Sequence, residues 1–289
     1  MTAARGRTRY HVVRHDGAAG FLTRAEPWLV VKEDRNNLVL SLAYARAASP
    51  GEGTDALFAT VEEGGRVVGC VTRTPPYKVL VTDMPLDAAG AVAAALAEAY
   101  DSLPAVLGPE PVADAVASAW VAMRGGRHRG GMRQRIYRLD EVVPPKGVRG
   151  SMRHAVPADL DLSLEWSRGF ARDVGSLFAA SPETISAWIH HRHLYFWEDG
   201  QAVSTAVAHG RTPRGVRIGY VYTPSEHRGR GYASALVAAL SQGMMAEGAR
   251  FCVLYTDLAN PTSNAIYQRV GYYPLEDVRD IEIVGAAAG

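Results

Sequence analysis

The stretch Val221-Tyr-Thr-Pro-Ser-Glu-His-Arg-Gly-Arg-Gly-Tyr-Ala-Ser-Ala235 decides how this chain is read. An apolar, aromatic run ends at Pro224. A basic turn broken by two glycines follows, and from Tyr232 the residues are those of a helix. Strand, turn and helix in that order bring several backbone N–H groups to one point. Glycine lets the main chain come close and adopt left-handed dihedrals. The helix N-terminus adds unpaired donors and partial positive charge. Arg228 and Arg230 place full charges at the same spot. Such a turn suits a pyrophosphate.

Working outward from it, Ala233, Leu236, Val237, Leu240 and Met244 recur at helical spacing, so one face of the helix after the turn belongs to a core. The segment 251–256 reads as a buried strand, 263–270 as a short helix ended by Gly271, and 280–284 as a last strand. Upstream, 216–223 is a strand, and 194–198 and 202–208 are two strands around Asp199-Gly200. Helices are expected at 159–171 and 182–193, the second with Ser181 as N-cap and Pro182 at its first position. The order is ααβββαβαβ, an α/β fold with a mixed sheet flanked by helices.

The N-terminal half repeats part of that order. The segments 57–63 and 66–72 form a hairpin around Gly64-Gly65; a strand at 78–82, a helix at 88–100, a strand at 105–108, a helix at 112–123 and a strand at 135–139 follow. This is the pattern of a diverged duplication. Pro144-Pro145 and Gly147 interrupt both periodicities, which puts the linker at 142–148 and the domains at 1–147 and 148–289. Where the second half has Arg228-Gly-Arg-Gly, the first has Asp83-Met-Pro-Leu-Asp-Ala-Ala-Gly90. Acidic side chains there repel phosphate, so one working site is expected, in the second half, with the first half as a support or pocket wall.

The bulk of the sequence narrows the classes. The chain has 289 residues, 47% of them apolar, enough for two cores. Lys and Arg number 31 against 30 Asp and Glu, a net charge of +1, which gives no reason to expect nucleic acid or a membrane surface as partner. The two cysteines, Cys70 and Cys252, sit in apolar runs, which fits buried thiols and a reducing cytoplasm. The N-terminus has basic residues but no apolar stretch behind them, so no secretory signal is expected. His190, His191 and His193 sit near a helix end; only the first and third share a face and no Cys completes a zinc set, so no metal is expected. The basic, glycine-rich run 124–135 lacks interleaved aromatics and reads as a mobile, solvated loop.

Two motifs carry a resemblance. Arg228-Gly229-Arg230-Gly231-Tyr232-Ala233 fits the pattern Arg or Gln, two residues, Gly, one residue, Gly or Ala. Downstream, Asn260 precedes Tyr267 by seven residues, and the helix ends at Gly271-Tyr272. Together they make the second half, about 140 residues, resemble the GCN5-related N-acetyltransferases. The weaker first half is similar to the degenerate repeat of tandem members of that family.

The resemblance implies acetyl-CoA as co-substrate and transfer of its acetyl group to an amine of a small molecule or peptide, by direct attack of the neutral amine. It implies that backbone N–H groups from Gly229 to Ser234 hold the pyrophosphate. The main chain at Tyr220 and Tyr222 would pair with the pantetheine arm, beside a bulge that splays two parallel strands. Asn260 would bond that arm or cap its helix, and Tyr267 would protonate the leaving thiolate. The family often carries a Glu six or eight residues before the proline; here these are Ile218 and Val216. Asp257, at a strand end beside the expected slot, ranks first among general-base side chains, ahead of Glu226, His227, Glu165, Asp173 and His209, and a water chain to bulk solvent is an equal alternative. A non-catalytic acyl-CoA sensor is the alternative. Acidic residues at 159, 161, 165, 173, 276, 277 and 280 are compatible with a cationic acceptor. A monomer or homodimer is expected.

Overall fold

The computed structural model describes residues 9–49, 55–175 and 179–285. The basic N-terminal residues 1–8 lie outside them. The chain divides into two compact units, 1–135 with 276–289, and 136–275. The segment 276–289, assigned from sequence to the C-terminal domain, thus falls with the first unit.

The two runs of elements repeat one another. The first is β1 (Tyr10–Arg14), α1 (Gly17–Leu29), α2 (Asn37–Ala48), β2 (Leu57–Glu63), β3 (Arg66–Arg73), β4 (Val79–Val81), α3 (Ala89–Ala99), β5 (Ala105–Pro109), α4 (Glu110–Arg124) and β6 (Arg127–Leu139). The second is β7 (Ser151–His154), α5 (Leu160–Asp173), α6 (Pro182–His190), β8 (Leu194–Glu198), β9 (Ala202–His209), β10 (Gly215–Tyr222), α7 (Tyr232–Ala246), β11 (Phe251–Asp257), α8 (Pro261–Val270) and β12 (Tyr273–Val284). Both read βααβββαβαβ, so the duplication seen faintly in the sequence is plain in the order of elements. The elements β1, α1, α2 and β7 were not read from sequence. In the first unit α1 and α2 bury Phe21, Leu29 and Leu40 with Phe58 and Cys70.

In the first unit the strand order is β1-β2-β3-β4-β5-β12. The pair β4 and β5 is parallel, and Val278 to Glu282 of β12 run antiparallel to Pro109 to Ala105 of β5. In the second unit the order is β7-β8-β9-β10-β11-β6, with β10 and β11 parallel. The sheet of each unit is therefore completed by the last strand of the other run of elements. The second unit's core gathers Leu236, Val237 and Leu240 of α7 against Val216, Ile218, Cys252 and Leu254. On the other face of the sheet, Trp166 and Ile185 of α5 and α6 cover Phe196 and Val207.

The reading of 124–135 as a mobile loop is corrected. Arg127 begins β6, and Arg124, His128, Arg129, Arg133 and Arg135 each have an acidic partner within the first unit. Arg129 pairs with Glu282 at 2.6 Å, and Arg135 with Asp277 through two bonds of 2.6 and 2.9 Å. A Cβ on Gly130 would overlap the Arg279 guanidinium at 1.9 Å, and one on Gly131 would press Asp280 Cβ at 3.2 Å. The glycines make room for neighbouring side chains; they do not loosen the chain.

Among the described residues no helix is long and apolar enough to cross a membrane. Among them, too, no group of three His, Cys, Asp or Glu is placed to hold a metal ion.

Candidate active site

The site begins where a parallel ladder ends. Gly215, Val216 and Arg217 of β10 face Phe251, Cys252 and Val253 of β11. On its other side β10 stays paired with β9 as far as Gly219↔Val207 and resumes at Tyr222↔Thr205, a bulge of one extra residue. Tyr220 lies in that bulge with φ of 56°, a conformation that costs a bulky residue energy unless its surroundings enforce it. They do. Its hydroxyl bonds Ser167 Oγ and accepts from the Ala180 N–H at 3.3 Å. Its ring lies 4.4 Å from that of Phe170 and 5.0 Å from that of Trp188. Tyr220 and Tyr222 both point toward the Trp166 cluster, and Val221 toward the α7 core. The sequence alternation gives the shared face, but the anchors Ser167 and Trp188 carry no local signal and were missed.

After the buried Pro224 the chain makes one 3₁₀ turn (Ser225–His227) and then the glycine turn. Gly229 has φ of 78° and Gly231, at the N-cap of α7, φ of 83°. A Cβ on Gly229 would meet nothing, so there only the dihedral demands glycine; a Cβ on Gly231 would also sit 3.0 Å from Val148 Cγ2. The first α7 backbone bond across the turn runs from Ala235 N–H to Gly231 C=O at 3.0 Å. The N–H groups of Tyr232, Ala233 and Ser234 thus lie in the first helical turn, where no intrahelical acceptor exists. The Tyr232 side chain is buried and donates to Asp199 Oδ2 at 2.7 Å, so only its main chain faces the turn.

The two arginines differ. Arg228 Nε donates to the Thr223 carbonyl at 2.8 Å, and its guanidinium is paired with Asp173. That side chain braces the turn against the end of α5. Arg230 is exposed.

At α8 the cap is local. Asn260 Oδ1 accepts from the Ser263 N–H at 3.0 Å. Asn264, one turn on and not singled out from sequence, is the hub. Its amide donates to the carbonyls of Asp257 at 2.9 Å and Asn260 at 2.7 Å, and accepts from the buried Tyr137 hydroxyl at 3.0 Å. Tyr267 is 8% exposed within the α7 core, 6.1 Å ring to ring from Tyr272. Burial pushes its phenol up to about 12. Among the described residues no polar group bonds its hydroxyl.

The general-base candidates separate. Asp257 Oδ1 accepts from the Ala259 N–H at 2.9 Å, which makes it a turn cap. Asp173 is held by Arg228. Val216 and Ile218, where the resembled family often has Glu, are 2% and 0% exposed and belong to the core. His209, opposite Arg217 in the ladder, has its Nε2 beside the bulge: a Cβ on Gly219 would lie 3.4 Å from it. Burial first, then Arg217 and His193, push its imidazole down to about 3, so the ring is neutral at neutral pH. The acidic wall proposed for a cationic acceptor is also revised. Asp159 is bound by Arg153, Asp277 by Arg135, Asp280 by Lys78 and Glu276 by Arg35. Helix α6 stops at His190, short of 193, so His191 and His193 leave its surface.

The first unit's equivalent turn is built differently. Ala88 precedes α3 with φ of −74° instead of a left-handed glycine, and Asp83 pairs with Lys32 at 3.2 Å. A Cβ on Gly108 of β5 would lie 2.4 Å from the Val81 carbonyl, so β4 and β5 stay closed together there.

Residues 163–272 match the model of the Acetyltransferase (GNAT) family. The chain therefore carries a GNAT acetyltransferase domain over those residues. Nearly its whole length resembles solved GNAT structures. A GCN5-related N-acetyltransferase from Sphaerobacter thermophilus is 15% identical and superposes with a TM-score of 0.59, over 97% of this chain and 98% of that one. A GNAT-family acetyltransferase from Colwellia psychrerythraea gives 11% identity and 0.57, over 94% and 99%. A tandem GNAT protein from the clavulanic acid biosynthesis pathway gives 14% and 0.55, over 97% and 99%. At these identities the likeness is one of fold. No curated protein matches the chain.

Proposed function

We propose that the segment 148–289 transfers an acetyl group from acetyl-CoA to an amine of a small molecule or peptide, and that 1–147 supports it without a donor site of its own. The observation that carries this reading is one coincidence: the β10–β11 ladder opens just before a glycine turn at the start of α7, with a phenol, Tyr267, that has no hydrogen-bond partner among the described residues, in the same unit. The residues fit the donor. The N–H groups from Gly229 to Ser234 hold its pyrophosphate, with Arg230 adding charge, and the main chain at Tyr220 and Tyr222 pairs with the pantetheine amides. Bound there, acetyl-CoA supplies an activated acyl thioester.

The rest of the work belongs to the protein. Main-chain donors at the bulge orient and polarise the reacting carbonyl. Tyr267, held protonated by burial, donates its phenolic proton to the departing sulfur. Neither side chain suits the base role: Asp257 caps its own turn, and the His209 imidazole, pushed down to about 3, is too weak a base, so the amine's proton passes to water. Phe170 of α5 and Trp188 of α6 meet Tyr220 of β10 in a half-buried aromatic cluster, which fits an acceptor with an apolar body better than a polycation.

A screen of amines with acetyl-, propionyl- and succinyl-CoA, read by release of free thiol, tests the proposal. Turnover that collapses in Gly231→Glu and Tyr267→Phe is the expected outcome. Tight coenzyme A binding with no turnover across the panel favours the sensor reading, which the apolar Val216 and Ile218 support.

A further inference from the structure

In the second unit a cavity of about 310 Å³ lies between the end of α6, strands β7 to β9 and the last turn of α7. Its wall includes His154, Arg192, His193, Tyr195, Arg211 and Glu247. Helix α7 has 15 residues, so at 1.5 Å per residue this cavity stands roughly 20 Å along the helix from the glycine turn.

Three observations bear on it, two of them on the exposed Arg192. The first is Arg192. Helix α6 closes with the His191 N–H donating to Ala187 C=O at 2.9 Å and the His193 N–H to Trp188 C=O at 2.7 Å. Between them Arg192 has φ of 58°, the left-handed position at which helices ordinarily place glycine. A side chain there costs on the order of 1–2 kcal/mol. The chain accepts that cost for an arginine whose guanidinium, among the described residues, makes no ion pair. The second is His154. Its Nδ1 is buried and has no hydrogen-bond partner among the described residues, while its ring is fixed 4.4 Å from that of Tyr195. A buried polar atom left in this state costs free energy unless something binds it. The third is charge. The one carboxylate of the wall, Glu247, is already paired with Arg211, which leaves the charge of Arg192 unanswered.

We propose that this cavity is a second ligand site, distinct from the acyl-donor site, and that it takes a small molecule bearing an oxyanion, phosphate or carboxylate, held by the Arg192 guanidinium and the His154 ring. Glycine at 192 separates this proposal from a structural role, because glycine suits the left-handed backbone. The test is the melting temperature of the full chain titrated with inorganic phosphate in one arm and succinate in the other, against chloride at matched ionic strength. A saturable rise with either probe is expected in the wild type; which probe acts tells phosphate from carboxylate. In Arg192→Gly the chloride melting temperature should match or exceed the wild type while the rise disappears. In His154→Leu the half-saturating concentration should increase about tenfold or more, the loss of one hydrogen bond to a charged group. Arg230→Ala, at the donor turn, should leave the rise intact. No rise with either probe overturns the proposal. So does a rise that survives in Arg192→Gly but vanishes in Arg230→Ala, which would place the anion at the donor turn.

Discussion

Arg217 faces Val253 across β10 and β11, the last parallel pair before β10 turns away at the Tyr220 bulge. The opening that follows is a property of backbone, enforced from one side by the anchored tyrosine. Removing the anchor should let the strand relax. Ser167→Ala and Trp188→Ala should each raise the KM for acetyl-CoA more than they lower kcat, since they act on the shape of the slot.

Tyr267→Phe removes only the unbonded hydroxyl and leaves the ring in its core. Turnover should fall by about 10²- to 10⁴-fold, the usual worth of a positioned general acid, with little change in coenzyme A affinity by calorimetry. An unchanged kcat would remove Tyr267 from the chemistry.

The same phenol predicts alkaline behaviour. Its folded value of about 12 lies above the ordinary 10, so the unfolded chain loses that proton first. The stability this contributes is complete below pH 10 and is lost as pH rises toward 12, about 3 kcal/mol in all. Urea unfolding should show a steeper decline in the wild type than in Tyr267→Phe over that window. Tyr272, also raised by burial, keeps a decline in both.

His209 has the opposite sign. Its folded value lies below the ordinary 6.5, so its contribution is complete above that pH and fades as pH falls toward 3, where the unfolded chain takes up the proton first. His209→Gln should flatten the acid limb of stability.

Gly231→Ala meets both a left-handed dihedral and a contact of 3.0 Å with Val148 Cγ2, whereas Gly229→Ala meets the dihedral alone. The first should lose about 1–2 kcal/mol of stability and weaken coenzyme A binding more than the second, as read by melting and calorimetry.

Much of the fold was legible because it is written in local periodicity. The αL glycines, the Asn260–Pro261 helix start and the Gly271 stop all act within a few residues of themselves, and each sits where the spacing places it. The elements β1, α1 and α2 went unread because much of that stretch is a near-even mix of alanine, charge and leucine. Helix α2 carries little amphipathic contrast and is defined by what it covers, Phe58 and Cys70. The basic run at 124–135 misled for a related reason. Its glycines and arginines mean solvent when taken alone, and mean a strand once Glu282 and Asp277 lie alongside.

The chain by itself therefore determined which residues make the glycine turn before α7 and which phenol stands downstream, since backbone freedom at glycine and hydrophobic spacing are local quantities. Only the tertiary structure decided what each charged group is free to do. Arg228 and Asp173, 55 residues apart, neutralise one another; Asp257 caps its own turn; His209 stays neutral through burial; and Arg192 makes no ion pair among the described residues. Charge and proton affinity depend on distance and burial, and those come from residues far away along the chain.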